Sequence, residues 1–273
     1  QEGLAVKTER GNRVFPQSDK SSDVLQTLQK ALRRRNVTVR LHTKMTGLMI
    51  EDHICKGVKV QSYHGALETL TADDVILTTG GLAYPSTGST GDGHRLLKQA
   101  GVALEPCYPA LVPVETVEEW PIRLQGLSLR NVSLRVERGS HKIYEEQGEM
   151  LFTHFGVSGP LVLSASSLLG RKGAKDCKLH IDLKPALSEE QLDERLQRDF
   201  AAQKNSMFKN SLGKLLPSKL IPVIVELSEI TPDKQVNEVT RQERHRLVKL
   251  CKDLTCTVKK LRDFPEAIVT GGG

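Results

Sequence analysis

Two well-separated runs of strict two-residue alternation constrain this chain more than any other feature. Val132, Leu134 and Val136 alternate with Ser133, Arg135 and Glu137, and Leu179, Ile181 and Leu183 alternate with His180, Asp182 and Lys184. Successive side chains of a strand point to opposite faces, so each run has one apolar and one polar face and reads as a half-exposed antiparallel strand. Thr255 to Val258 adds a further strand segment, and a barrel or sandwich is expected. Between about Ser188 and Lys252 the period lengthens. Leu192, Leu196 and Phe200 share one helical face, as do Leu220, Ile221, Ile224 and Leu227, and then Leu247, Val248 and Cys251. The reading is a strand-rich domain that carries a helical insertion.

The first hundred residues follow a different rule. A strand is expected at Arg13 to Phe15, a helix from Ser21 to about Arg35, and an alternating strand from Val37 to Leu41, the order of a strand, a crossover helix and a parallel strand. A partner for the first strand would have to be Leu4 to Lys7. From Met45 to Leu70 three short strands with turns near Asp52-His53 and His64-Gly65 read as an antiparallel meander. Val75-Ile76-Leu77 reads as a strand buried on both faces in a parallel sheet, and a helix after Gly91 carries Leu96, Leu97 and Ala100. The Pro-rich stretch Pro106 to Pro113 marks a crossing between domains, so the expected division is 1–108 and 109–273, with a helical subdomain at about 188–253.

Composition narrows the function classes. The chain has 273 residues, 26% of them charged, and no apolar run near the ~18 residues that a spanning helix needs. Its start, Gln1-Glu2-Gly3-Leu4, lacks a signal-peptide pattern. Five cysteines form an odd set without zinc-site spacing, and they read as reduced thiols of a cytoplasmic protein without a metal. The net charge of +6 admits an anionic ligand, and Lys30 to Arg35 is the densest basic run. That run lies on a helix whose other face holds Val24, Leu25, Leu28 and Leu32, so it reads as an ordinary solvated face. With only 4% aromatic residues to stack bases, the expectation is against nucleic acid and for a small-molecule substrate.

The densest chemical signal is Thr78-Thr79-Gly80-Gly81-Leu82-Ala83-Tyr84-Pro85-Ser86-Thr87-Gly88-Ser89-Thr90-Gly91-Asp92-Gly93. Glycines let backbone approach a ligand, and hydroxyls and amides near a helix start suit phosphate or ribose oxygens. The plainer alternative is a loop capped by Thr90 or Asp92 ahead of a helix. The spacing matches neither G-x-G-x-x-G nor G-x-x-x-x-G-K-[ST].

In this order, a meander, a strand ending in T-T-G-G and a Y-P-x-T-G-S-T-G-D-G loop resemble the FAD-dependent oxidoreductases of the BaiN and YhiN type, a group that includes proteins assigned as aminoacetone oxidases. Supporting segments are Gly11-Asn12-Arg13-Val14-Phe15-Pro16-Gln17-Ser18, Pro109-Ala110-Leu111-Val112-Pro113, Gly148 to Pro160, and Glu266-Ala267-Ile268-Val269-Thr270, which together span essentially the whole chain. The resemblance implies an α/β plus α+β fold: part of a two-dinucleotide-binding-domain, Rossmann-like flavoprotein core with an inserted antiparallel β-barrel domain that carries a helical subdomain. It implies FAD as cofactor, with NAD(P)H as a candidate electron donor. It places the Met45 backbone beside the adenine, Thr79, Gly80 and Gly81 at the ribose and pyrophosphate, and Asp92 near the cofactor. Thr78 departs from the family's alanine. In such flavoproteins a G-x-G-x-x-G turn and a closing segment lie beyond the two ends of this sequence, so the chain reads as a segment that holds FAD weakly or not at all and is inactive alone.

Catalytic residues are not identified by the pattern. His154 has a suitable side chain for proton transfer and Tyr84 a hydroxyl that can donate to a carbonyl, and both also have ordinary structural readings. Ser158 lies outside any G-x-S-x-G elbow. The expected activity is flavin redox chemistry on an amino-ketone or an enone. The alternative is a non-enzymatic interaction module with a basic surface.

Overall fold

The computed structural model describes residues 2–9 and 13–273, apart from the side chain of Lys172. Gly11 and Asn12, the first two residues of one supporting segment, lie outside the described residues. Packing divides the chain after Ile76.

In the first unit, β1 (Val6–Glu9) pairs antiparallel with β2 (Arg13–Pro16), and α1 (Ser21–Arg34) follows. The meander is present as β3 (Thr43–Glu51), β4 (Ile54–Ser62) and β5 (Leu67–Thr71). Asp52 and His53 both take positive φ, the backbone that a tight hairpin turn demands, and Gly65 does the same at the second turn.

Three expectations for this region are corrected. The strand ahead of the helix is one arm of an antiparallel hairpin rather than the first strand of a parallel crossover. Val37 to Leu41 and Val75 to Leu77 join no ladder, and every ladder among the described residues is antiparallel. Ile76 is 85% exposed. A strand exists only through its neighbours, and no described strand lies beside these runs. The apolar face of α1 is likewise uncovered, with Leu25 58% and Leu28 56% exposed and only Ala31 buried.

The second unit begins with the glycine-rich loop and α2 (Asp92–Gln99), and β6 (Tyr108–Ala110) follows after a non-helical connection. Then come β7 (Val114–Thr116), the short α3 (Trp120–Arg123), β8 (Ser128–Arg138), β9 (His141–Thr153), β10 (Gly156–Ser158), α4 (Pro160–Lys172) and β11 (Cys177–Asp182). Helices α5 (Glu189–Ala201), α6 (Ile221–Leu227) and α7 (Arg241–Lys252) precede β12 (Leu254–Leu261) and β13 (Val269–Gly271).

Six strands close into an antiparallel barrel in the order β10-β7-β12-β11-β8-β9. The alternation read from the sequence is its cause. Leu134, Val136, Leu179 and Ile181 are fully buried, while their neighbours Arg135 and His180 face outward, and His180 Nδ1 lies 2.8 Å from Asp253 Oδ1. Phe152 and Trp120 meet edge to face at 5.9 Å inside the wall, and Leu161, Val162, Ala165 and Leu169 seat α4 on the barrel. The same core continues without a break into the helices through Leu192, Leu196, Phe208, Ile224 and Leu247. Barrel and helices therefore share one hydrophobic interior, an α+β fold with the expected barrel.

Two helices of the insertion begin with reciprocal caps. Ser188 Oγ accepts from the Gln191 amide at 3.2 Å while the Ser188 amide donates to Gln191 Oε1 at 3.0 Å. Thr240 and Glu243 repeat the arrangement at 3.2 and 2.7 Å. The bidentate Arg244 to Asp193 pair, at 2.5 and 3.1 Å, then ties α7 to α5. Removing one cap leaves an amide without its partner, so Ser188→Ala and Thr240→Ala are each expected to lower stability by about 1 kcal/mol. Urea melts of the two variants check this, and a loss below ~0.3 kcal/mol in both would show that the caps are solvated without penalty.

Candidate functional site

The glycine-rich loop is shaped by a residue from the other end of the chain. Thr270 in β13 accepts through its hydroxyl from the amides of Leu82, at 2.7 Å, and Ala83, at 3.1 Å. The strand is held there by its antiparallel pairing with β6, where Val269 lies opposite Ala110 and Gly271 opposite Tyr108. A Cβ on Gly81 would lie 2.6 Å from the Thr270 Cβ, so only glycine lets the loop come this close. A second tie runs from the Gly91 amide to the Gly81 carbonyl, at 3.0 Å, and brings the T-T-G-G segment onto the start of α2. The Gly271-Gly272-Gly273 run has the same use. Added Cβ atoms there would strike the Tyr108 ring, the Pro106 carbonyl and His94.

The residues expected to hold a cofactor fall in both units. Met45 is half-buried in β3 opposite Val60, beside a bulge that leaves Thr46 out of the ladder. Thr79, Gly80, Gly81 and Asp92 are brought together in the second unit. Thr79 and Gly80 are exposed, and Gly80 has a φ of +73°. Asp92 is the first residue of α2, so the cap position belongs to Gly91 and neither Asp92 nor Thr90 is the cap. The Asp92 carboxylate takes Arg95 Nη2 at 3.0 Å and the Thr90 hydroxyl at 3.3 Å.

Two further candidates are placed differently. His154 lies exposed at the tip of the turn from β9 to β10, its ring 4.7 Å from that of Phe155. Tyr84 is in the glycine-rich loop itself. Its φ of +54° is unusual for a bulky residue, and more so for one that precedes proline. The conformation is held because the Tyr84 carbonyl accepts from both the Thr87 amide, at 2.9 Å, and the Thr87 hydroxyl, at 2.7 Å. Thr270, which organises the loop, lies in the sequence only as the last residue of the Glu266-Ala267-Ile268-Val269-Thr270 segment. Its contact with residues 82 and 83 crosses 188 and 187 positions of the sequence, and no local pattern announces it.

For a flavin dinucleotide, this packing is a test of fit. The Leu82 and Ala83 amides are already engaged by Thr270, and a carboxylate in the first turn of α2 repels phosphate. Of the groups in FAD, sugar hydroxyls rather than phosphates are what the exposed Thr79–Gly80 backbone could accept, since the Asp92 carboxylate is already shared with Arg95 and Thr90.

The five thiols divide by burial. Cys177, Cys251 and Cys256 are buried, and burial pushes the Cys251 thiol up to about 12, whereas Cys55 and Cys107 are half-buried. Cys107 Sγ lies 3.9 Å from His94 Nδ1. A thiol-specific disulfide reagent is expected to titrate two thiols in the native protein and five after denaturation. Fast reaction of a third would show that the barrel opens locally.

Comparison with known proteins supplies the context. Over 273 residues the chain is 29% identical to the 3-dehydro-bile acid delta(4,6)-reductase of Clostridium scindens, covering 99% of this chain and 65% of that protein. It is 26% identical over 261 residues to the ribosomal RNA dihydrouridine synthase of Escherichia coli, covering 93% of this chain and 60% of that one. The Haemophilus influenzae protein of the same description is 28% identical over 200 residues, covering 73% and 47%. The chain thus spans less than two thirds of the length of each of these relatives. Residues 108–269, which hold the closed barrel and its helices, match the HI0933-like protein barrel and H2TH domain, and the chain belongs to that HI0933-like family.

Proposed function

We propose that the full-length protein is a FAD-dependent oxidoreductase that reduces a carbon–carbon double bond conjugated to a carbonyl in a small organic substrate. Family membership supports the flavoprotein reading, and the relatives' names support the chemistry. A delta(4,6)-reductase of a 3-dehydro bile acid and a dihydrouridine synthase are both named for saturating a double bond conjugated to a carbonyl. The bile-acid reductase is matched at 29% identity along 99% of this chain and the Escherichia coli dihydrouridine synthase at 26% along 93%, and the higher identity is the ground for taking the enone rather than RNA as substrate.

Bound FAD supplies hydride transfer, with NADH or NADPH as the source of electrons. The backbone at Met45, the Thr79–Gly81 turn and Asp92 are the residues of this chain that would hold it. The observation that carries the reading is Tyr84. It sits in the loop that Thr270 clamps, in a strained conformation fixed by Thr87, with its side chain half in solvent. Backbone strain of ~1–3 kcal/mol persists where surrounding contacts hold a residue for use. A phenol there donates a hydrogen bond to the substrate carbonyl and stabilises the negative charge that gathers on its oxygen as the double bond is reduced.

The test uses the full-length protein with its flavin reduced under anaerobic conditions. A small cyclic enone is expected to reoxidise the flavin, while the matching saturated ketone does not. Tyr84→Phe should slow that reoxidation about tenfold, equivalent to ~1.4 kcal/mol, with flavin content unchanged. An enone that leaves the flavin reduced sinks the proposal, and reoxidation by uridine-containing RNA alone would transfer the reading to nucleic acid.

A further inference from the structure

Lys184 lies just past the end of β11, where the chain leaves the barrel for α5. Its main chain is fixed on both sides: the amide donates to Asp182 Oδ1 at 2.8 Å and the carbonyl accepts from Lys252 Nζ at 3.1 Å. Lys184 is one of the residues that line a groove of about 190 Å³ between β8 and the turn ahead of α6. Leu129, Leu183, Leu216 and Leu220 form its apolar walls, and exposed Arg130 stands at the rim. The groove owes its shape to a bulge in β8 between Leu129 and Val132, which takes Arg130 and Asn131 out of the ladder.

Among the described residues, no acidic one lines this groove. The neighbouring carboxylate of Asp182 is paired with Lys252 Nζ at 2.6 Å, and the Cys251 thiol is held neutral by burial. Arg195 adds a second positive charge from α5 and is itself spent on the Lys214 carbonyl, at 2.9 Å, and on Asp199. Burial, reinforced by Arg195, holds the Lys184 ammonium below the usual lysine value. A half-buried cation with apolar walls and no counter-charge is unfavourable until an anion joins it. The volume corresponds to about six waters at ~30 Å³ each, which suits a carboxylate with a short hydrocarbon chain and is too small for a polynucleotide.

We propose that this groove is a binding site for a small amphipathic carboxylate, with Lys184 pairing the headgroup, Arg130 attracting it at the rim, and Leu129, Leu216 and Leu220 covering its hydrocarbon chain. The site is separate from the glycine-rich loop and does not rest on the flavin reading. It is tested by labelling lysines with trinitrobenzenesulfonate and following the Lys184 peptide by mass spectrometry, with octanoate, octanol or acetate present. Octanoate is expected to slow labelling of Lys184 at least about fivefold and to leave exposed Lys142 unchanged, while octanol and acetate at the same concentration leave both lysines unchanged. Calorimetry of Lys184→Met should show no octanoate binding, and Lys184→Arg should retain it. Equal protection by octanol or by acetate, or unchanged octanoate affinity in Lys184→Met, overturns the proposal. The labelling arm uses the unmodified protein, so it decides the matter even if a variant folds poorly.

Discussion

Gly156→Ala is expected to lower the thermal midpoint by about 10 °C or more, or to yield insoluble protein. Gly156 opens β10 and has a φ of +150°. It is paired with Thr153 of β9 on one side and Glu115 of β7 on the other, so it stands in the ladder that closes the barrel. A Cβ at this position would strike the Val114 carbonyl and approach the Thr116 amide to 2.9 Å. Both are backbone atoms of a neighbouring strand and cannot rotate away. Relief requires β10 to leave β7, which breaks the closing ladder and exposes Val157 and Phe152, both fully buried. Backbone strain of ~1–3 kcal/mol, lost ladder bonds of ~1 kcal/mol each and partial exposure of these side chains sum to roughly 4 kcal/mol. At ~2–4 °C per kcal/mol for a domain of this size, the shift follows. Gly139→Ala is the control, since Gly139 also has positive φ, at the tip of the β8–β9 turn, and open space around it. A midpoint for Gly156→Ala within 2 °C of that control would show that the barrel closes by another route.

The second large effect is expected at Thr270. Thr270→Val keeps the shape of the side chain against Gly81 and removes the hydroxyl that receives the Leu82 and Ala83 amides. An amide left without a partner costs about 1–3 kcal/mol, so the loop is expected to abandon its clamped form. In the full-length protein, FAD should then bind at least about tenfold more weakly, read from flavin fluorescence after removal of unbound cofactor. Thr270→Ser restores the acceptor and should restore binding. If Thr270→Val lowers thermal stability yet leaves FAD affinity within twofold, Thr270 supports the fold alone and the loop is not where this chain meets the cofactor.

The meander, the barrel strands and the helices of the insertion were legible because each carries its own period. Val132 to Val136 and Leu179 to Leu183 alternate in sequence, and their apolar members are the buried ones. The helical faces at Leu192 and Leu247 are buried as well. Where local pattern misled, the missing ingredient was a neighbour. Val37 to Leu41 alternates and Val75 to Leu77 is continuously apolar, yet no described strand pairs with either, and the apolar face of α1 stays exposed for the same reason. The candidate site was half legible. Thr79 to Gly81 and Asp92 were marked by glycines and hydroxyls, but the residue that shapes their loop is distant in sequence.

By itself, the sequence determined which segments alternate and which are helical, because side-chain periodicity acts over a few residues. Tertiary structure alone decided that the strands close into a six-stranded barrel, that Thr270 reaches back to the Leu82 and Ala83 amides, and that Lys184 meets a groove without a counter-charge. Each of these depends on groups far apart in the chain, and pairings at such distance are set by the shared core rather than by local sequence.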